Sequence, residues 1–153
     1  MHQLMLWSFE SFFDGLEIDI GPYQVKEDEM IEFARKFDPQ PFHLDHALAR
    51  ESTIGELIAS GWYILSVFMR MQCDAFLNDS TIIVSPGVDR VRWIEPVRAD
   101  DVLSGKVVVT GARLSKSKPS MGIVTCDAEI GNQVNTIVST LSTKAMFKRA
   151  SSH

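Results

Sequence analysis

Residues 60–77 read SGWYILSVFMRMQCDAFL. The apolar residues Trp62, Tyr63, Ile64, Leu65, Val67, Phe68, Met69 and Met71 occupy nearly the whole circumference of a helix, and a helix apolar on every side is expected to be buried on every side. Ser60 suits the N-cap, Gly61 stands in the first turn, and Asn78 or Asp79 ends the helix.

Outward from this segment the hydrophobic period changes. Upstream, Met30, Ile31, Phe33, Ala34 and Phe37 recur at helical spacing over Lys26–Phe37, with Glu27, Asp28 and Glu29 in the first turn, where the macrodipole favours acids. Pro39 and Pro41 stop that helix at Phe37 or Asp38, and Leu44–Arg50 resumes as a short one. Downstream the period is two. Val124, Cys126, Ala128 and Ile130 alternate with Thr125, Asp127 and Glu129, and Leu103, Val107 and Val109 alternate with polar partners. Ile137, Leu141, Ala145 and Phe147 repeat the pattern, and Gly87–Ile94 makes a fourth strand ending before Pro96. Gly131-Asn132 reads as the hairpin turn between the last two strands, and residues 116–120 as the polar turn before them. A buried helix followed by a meander of antiparallel strands packs best when the sheet curls around the helix. The expected class is therefore α+β, a single hot-dog fold with an antiparallel sheet wrapped around a long central helix.

The chain has 153 residues, enough for one core without staples, and there is no repeat or linker to divide it. A single domain over 1–153, with its core at about 13–147, is expected. The composition is 45% hydrophobic, 23% charged and 9% aromatic, which excludes disorder and a coiled coil. A net charge of -5 argues against nucleic acid and anionic membranes as partners. Cys73 and Cys126 lie far apart in apolar stretches and are expected as reduced, buried thiols. Met1–Phe13 carries Glu10 and lacks a basic lead-in, so it reads poorly as a signal peptide, and no run of 18 apolar residues spans a membrane. The expected location is cytoplasmic.

The unusual segment is Asp38-Pro39-Gln40-Pro41-Phe42-His43-Leu44-Asp45. Two prolines stiffen a break between helices, and Phe37 and Phe42 are placed to anchor it to the core. A carboxylate and an imidazole five residues apart are expected to hold a water between them for acid-base chemistry. By spacing alone, the commoner arrangement is an Asp that caps the next helix and a His on the surface. His43, Asp45 and His46 also crowd together, but no further ligand is evident and His46 points about 300° round a helix from His43, so no metal is expected. Gly61 opens the central helix, where unpaired N–H groups can meet a developing oxyanion, or where a small residue is needed for packing. Arg113, Lys116 and Lys118 read as a solvated hairpin tip, Arg92 and Arg98 as ion-pairing or fold residues, and Met69–Met71 as core filler that can also line an acyl tunnel.

These residues, with Ala59-Ser60-Gly61-Trp62, Gly87-Val88-Asp89, Arg92-Trp93 and Pro96-Val97-Arg98, resemble the MaoC-like acyl dehydratases, relatives of the (R)-specific enoyl-CoA hydratases. The resemblance runs from about Phe13 to Phe147. It implies a hydro-lyase that adds water to a 2-enoyl-CoA or removes it from a 3-hydroxyacyl-CoA, as in fatty acid metabolism. Asp38 and His43 are the implied catalytic pair, and Gly61 and Ser60 the implied substrate-binding residues. The implied partners are an acyl-CoA thioester and a second copy in a homodimer or dimer-built oligomer; no cofactor is implied. Two departures stand beside the site: Gln40 replaces the Asn of the familiar Asn-Pro, and Ser60 replaces the His of a His-Gly pair. The alternatives are a hot-dog acyl-CoA thioesterase, disfavoured because the first turns after Gly61 carry no acid, and a non-catalytic acyl-CoA-binding protein.

Overall fold

Five strands form one antiparallel sheet in the order β1-β3-β4-β5-β2. They are β1 (Glu17–Gln24), β2 (Ile82–Trp93), β3 (Val102–Leu114), β4 (Met121–Gly131) and β5 (Ile137–Lys148). The computed structural model describes residues 6–150. Residues 1–5 and 151–153, and with them the start of the Met1–Phe13 stretch and both ends of the 1–153 domain, lie outside the described residues.

The sheet curls around α3 (Gly61–Ala75), the hot-dog arrangement. Tyr63, Ile64, Val67, Phe68 and Met71 point from α3 into the core, where they meet the inward residues of the strands. Those are the alternating positions Ile18 and Ile20 of β1, Leu103, Val107 and Val109 of β3, and Val124, Cys126, Ala128 and Ile130 of β4. Each of the larger aliphatic side chains among them contributes roughly 1.5–3 kcal/mol by leaving water, so the interface between helix and sheet carries the fold.

Four strands fall where the alternation places them, each longer by a few residues. The fifth, β1, lies outside the expected set. Ile18 and Ile20 do alternate with Glu17 and Asp19, but Gly21-Pro22 interrupts the run after four residues, and the register with β3 shifts between Ile20 and Tyr23. Proline lacks an N–H for the ladder and is tolerated at this position because β1 is an edge strand. The expected two-residue turn at Gly131-Asn132 is a longer loop, closed by Asn132, whose side chain accepts the N–H groups of Val134 and Thr136. Asn135 there takes a left-handed conformation, φ 62°.

The helices follow the sequence in outline. α1 (Glu27–Phe37) stops where Pro39 requires, a 3-10 turn occupies Pro41–His43, and α2 (His46–Glu51) starts two residues later than expected because the side chain of Asp45 caps it, accepting from Leu48 N–H at 3.0 Å. α1 is pinned to the core by a carboxylate. Glu29 accepts the Tyr63 hydroxyl at 2.8 Å and also that of Tyr23, tying α1 to α3 and β1. Burial, then the Glu29 contact, pushes the Tyr63 phenol far up, so it stays a donor.

One expectation about α3 fails. The helix is not buried all round: Trp62 is 58% exposed and Met69 46%, with Ser66 exposed between them. The sheet covers only one side of α3, and the stripe Trp62, Leu65, Met69 faces outward beside Phe33 and Phe37. The helix also ends earlier, with Phe76 as C-cap and a 3-10 turn at Leu77–Asp79.

Candidate active site

Asp38 is the C-cap of α1, its N–H still bonded to the Ala34 carbonyl at 2.8 Å while its own dihedrals, φ -151° and ψ 65°, have left the helix. Pro39 forces that departure, and Pro41 then starts the 3-10 turn that brings His43 back toward Asp38. The two are in direct contact. Nε2 of His43 lies 3.3 Å from Oδ2 of Asp38, which leaves no room for the water expected between them. His43 is buried, not a surface residue, and Asp38 keeps only a sliver of exposure.

Each member of the pair is held from behind. Nδ1 of His43 is 2.8 Å from the Ile58 carbonyl, an acceptor only, so Nδ1 carries a proton and Nε2 faces Asp38. Asp38 Oδ2 accepts the Ser60 hydroxyl at 2.7 Å, and Oδ1 accepts the Gln40 amide at 2.7 Å. Burial pushes the Asp38 carboxyl up. The hydrogen bonds from Gln40 and Ser60 and the nearby His43 together outweigh it, so the group lies below the ordinary aspartate value.

Ser60 is the expected N-cap of α3, accepting from Trp62 N–H at 3.2 Å, and it is fully buried. Its hydroxyl therefore links the helix start to Asp38. Gly61 N–H makes no hydrogen bond among the described residues, as the first residue of a helix allows. The need for glycine here comes from packing: a Cβ at Gly61 would overlap the Trp93 indole, which donates Nε1–H to the Gly61 carbonyl at 3.0 Å.

Phe42 packs against the core and edge-on to His43, with ring centroids 4.3 Å apart, but Phe37 does not anchor the segment. It is 70% exposed and lies against Phe33 on the outward face. Three contributors are not assigned a role from the sequence: Gln40 as a hydrogen-bond donor to Asp38, the Ile58 carbonyl behind His43, and Trp93 over Gly61. Gln40 was legible, since it sits inside the segment; Ile58 and Trp93 act through backbone atoms and distant strand geometry, which carry no sequence signal.

The other candidates disperse. His46 pairs with Glu27, Asp45 caps α2, and among the described residues no group of three His, Cys, Asp or Glu side chains could hold a metal. Arg98 forms a two-pronged pair with Glu56, and Arg113, Lys116 and Lys118 are exposed around the β3–β4 hairpin tip. Both cysteines are free; Cys126 is buried, and burial pushes its thiol up to about 11, whereas Cys73 is only half-buried because it lies toward the open side of α3. No helix among the described residues is long and apolar enough to cross a membrane.

Comparison with known proteins agrees with this geometry. The chain is 33% identical to the MaoC-like dehydratase of Rhodospirillum rubrum, with a TM-score of 0.86 over 95% of this chain and 99% of that one. It is 25% identical to the (R)-hydratase of A. caviae involved in PHA biosynthesis, with a TM-score of 0.70 over 92% and 99%. Nodulation protein N of Rhizobium meliloti (strain 1021) is 30% identical over 138 residues, 87% of this chain and 85% of that protein. The family model for the MaoC-like domain matches residues 17–132, a span that contains β1, the Asp38–His43 pair, all of α3 and the strands as far as the end of β4. The chain belongs to the MaoC-like domain family.

Proposed function

We propose that this protein catalyses the reversible addition of water to a 2-enoyl-CoA, giving a 3-hydroxyacyl-CoA, with Asp38 as base and His43 as acid. The observation that carries this reading is the direct contact of His43 Nε2 with Asp38 Oδ2, with Nδ1–H already engaged by Ile58. A carboxylate and a ring nitrogen 3.3 Å apart form a pair able to take up and deliver a proton. In hydration the water oxygen attacks C3 while Asp38 takes its proton, and His43 Nε2–H delivers a proton to C2. Proton return from Asp38 to His43 across their contact restores the pair, and dehydration is the same path reversed.

The developing enolate oxygen of the thioester needs a donor, and Gly61 N–H at the start of α3 is free to supply it. Ser60 and Gln40 act as positioning residues: they hold Asp38 ionised and aimed, so Ser60 serves the substrate through Asp38 and not by touching it.

The working form is read as a homodimer paired along β2. Of the two sheet edges, β1 is blunted by Glu17, Asp19 and Pro22, whereas β2 runs twelve residues with Ile83, Val84, Val88 and Trp93 about half exposed. Pairing β2 with its symmetry mate covers these and brings a second copy beside Trp93 and Gly61.

The test is an absorbance assay of purified protein on a panel of 2-enoyl-CoA esters, with thioester cleavage followed in parallel. Loss of the enoyl chromophore without release of free thiol supports the hydratase. Thiol release in its place supports a thioesterase, and binding without either reaction supports a carrier.

A further inference from the structure

Gln72 is buried, with a relative exposure of 5%, and lines a mainly apolar cavity whose other polar side chains are Ser85, Thr143 and Lys144; its amide makes no side-chain hydrogen bond among the described residues. The cavity, about 100 Å³, lies between α3 and the β2, β4 and β5 strands, walled by Phe68, Phe76, Val88, Val124 and Leu141. It is about two-thirds the size of the apolar cavity that takes a benzene ring, so it has room for roughly four carbons.

The cavity shares Leu65 and Met69 with the open groove on the outward face of α3. Trp62, Leu65, Met69 and Gln72 are spaced three, four and three residues apart, which puts them on a single stripe of α3. Trp62, Leu65 and Met69 share the open surface with Phe37, the neighbour of Asp38, while Leu65, Met69 and Gln72 line the cavity. Eleven residues separate Gly61 from Gln72, roughly 16 Å along the axis, and a helical side chain leans back toward the N-terminus by a few ångströms. An extended acyl chain with its carbonyl at Gly61 therefore reaches the Gln72 amide at roughly its sixth to tenth carbon.

Resting on the hydratase reading, we propose that Gln72 makes this site selective for acyl chains that carry a hydroxyl or ketone oxygen at that depth, and against saturated chains of the same length. A saturated tail fills the cavity and offers the amide no partner. A tail oxygen restores the hydrogen bond, and a buried polar group that reads an oxygen discriminates strongly against the analogue lacking it.

The experiment uses two pairs of probes: trans-2-octenoyl-CoA and its 8-hydroxy derivative for kcat/KM, and octanoyl-CoA and 8-hydroxyoctanoyl-CoA for Kd. The wild-type protein is expected to favour the hydroxylated member by roughly tenfold to a hundredfold in both. Gln72→Leu, of similar volume, should abolish or reverse the preference, with Gln72→Met as a second variant should leucine misfold. A wild-type ratio within about twofold, or a ratio unchanged by substitution, overturns the proposal. If no enoyl ester is hydrated but the binding preference holds and depends on Gln72, the hydratase reading fails and the assignment of Gln72 as a reader of chain oxygen stands; if neither probe of the binding pair is bound, both fall.

Discussion

The hydroxyl of Ser60 donates to Oδ2 of Asp38 at 2.7 Å, and the same carboxylate oxygen lies 3.3 Å from Nε2 of His43. The N-cap of the central helix is thereby tied to the proposed base. Ser60 keeps two bonds at once, since its oxygen also accepts from Trp62 N–H. A change in where α3 begins would move Asp38, and a change in the ionisation of Asp38 would be felt at the helix start.

Asp38→Asn and His43→Gln are expected to lower hydration of the best enoyl-CoA by roughly 10² to 10⁴ each with the fold retained, because each removes a proton-transfer group and almost no volume. Steady-state rates alongside circular dichroism check this. Near wild-type turnover in either variant would remove that residue from the mechanism.

Gln40→Leu is expected to shift the acid limb of the kcat/KM profile to higher pH while leaving thermal stability nearly unchanged, since Gln40 is exposed and donates to Asp38 only. Ser60→Ala should shift the same limb and in addition destabilise the protein by about 1 kcal/mol through loss of the cap. A thermal melt and a pH–rate profile on both variants separate the two effects.

The Asp38 carboxyl is held below its unfolded value, so its ionisation stabilises the native state above the ordinary aspartate range, near pH 4, and that contribution is lost as pH falls through the folded value. In Asp38→Asn the acid arm of the stability curve should flatten below about pH 4 relative to wild type. Urea melts across pH 2.5 to 6, a range of ~3.5 units chosen to bracket that window, provide the measurement; parallel acid arms would contradict it.

Gly61→Ala is expected to destabilise by roughly 1–3 kcal/mol, because the added methyl overlaps the Trp93 indole. In a Trp93→Ala background the same substitution should be nearly neutral. A double-mutant cycle by urea denaturation reads the coupling, and additive effects would mean that Trp93 is not what excludes a side chain at Gly61.

Val88→Asp on the exposed edge strand should convert the proposed dimer into a monomer, since a charge placed in an apolar strand pairing is unpaired when buried. Sedimentation equilibrium at micromolar concentration checks both proteins. A wild-type monomer would count against the β2 pairing.

The sequence alone determined the parts of this protein that rest on local periodicity and local stiffness. The period-two runs of β3 and β4, the termination of α1 by Pro39 and the capping of α3 by Ser60 follow from near neighbours, and the structure keeps them, whereas in β5 the alternation breaks at the adjacent buried residues Val138 and Ser139. The Asp38–His43 pair was legible because the two prolines between them constrain the chain within six residues. Tertiary packing decided the rest. Whether an apolar helix is covered on one side or all round depends on how far the sheet curls, so the open stripe Trp62, Leu65, Met69 cannot be read from α3 itself. β1 forms because β3 offers its free edge, which overrides the interruption at Gly21-Pro22. The direct contact of Asp38 with His43, the Ile58 carbonyl behind the ring and the indole over Gly61 all join atoms that only the folded chain brings together. Distances of a few ångströms between segments far apart in the chain are fixed by packing in three dimensions, and residue spacing does not encode them.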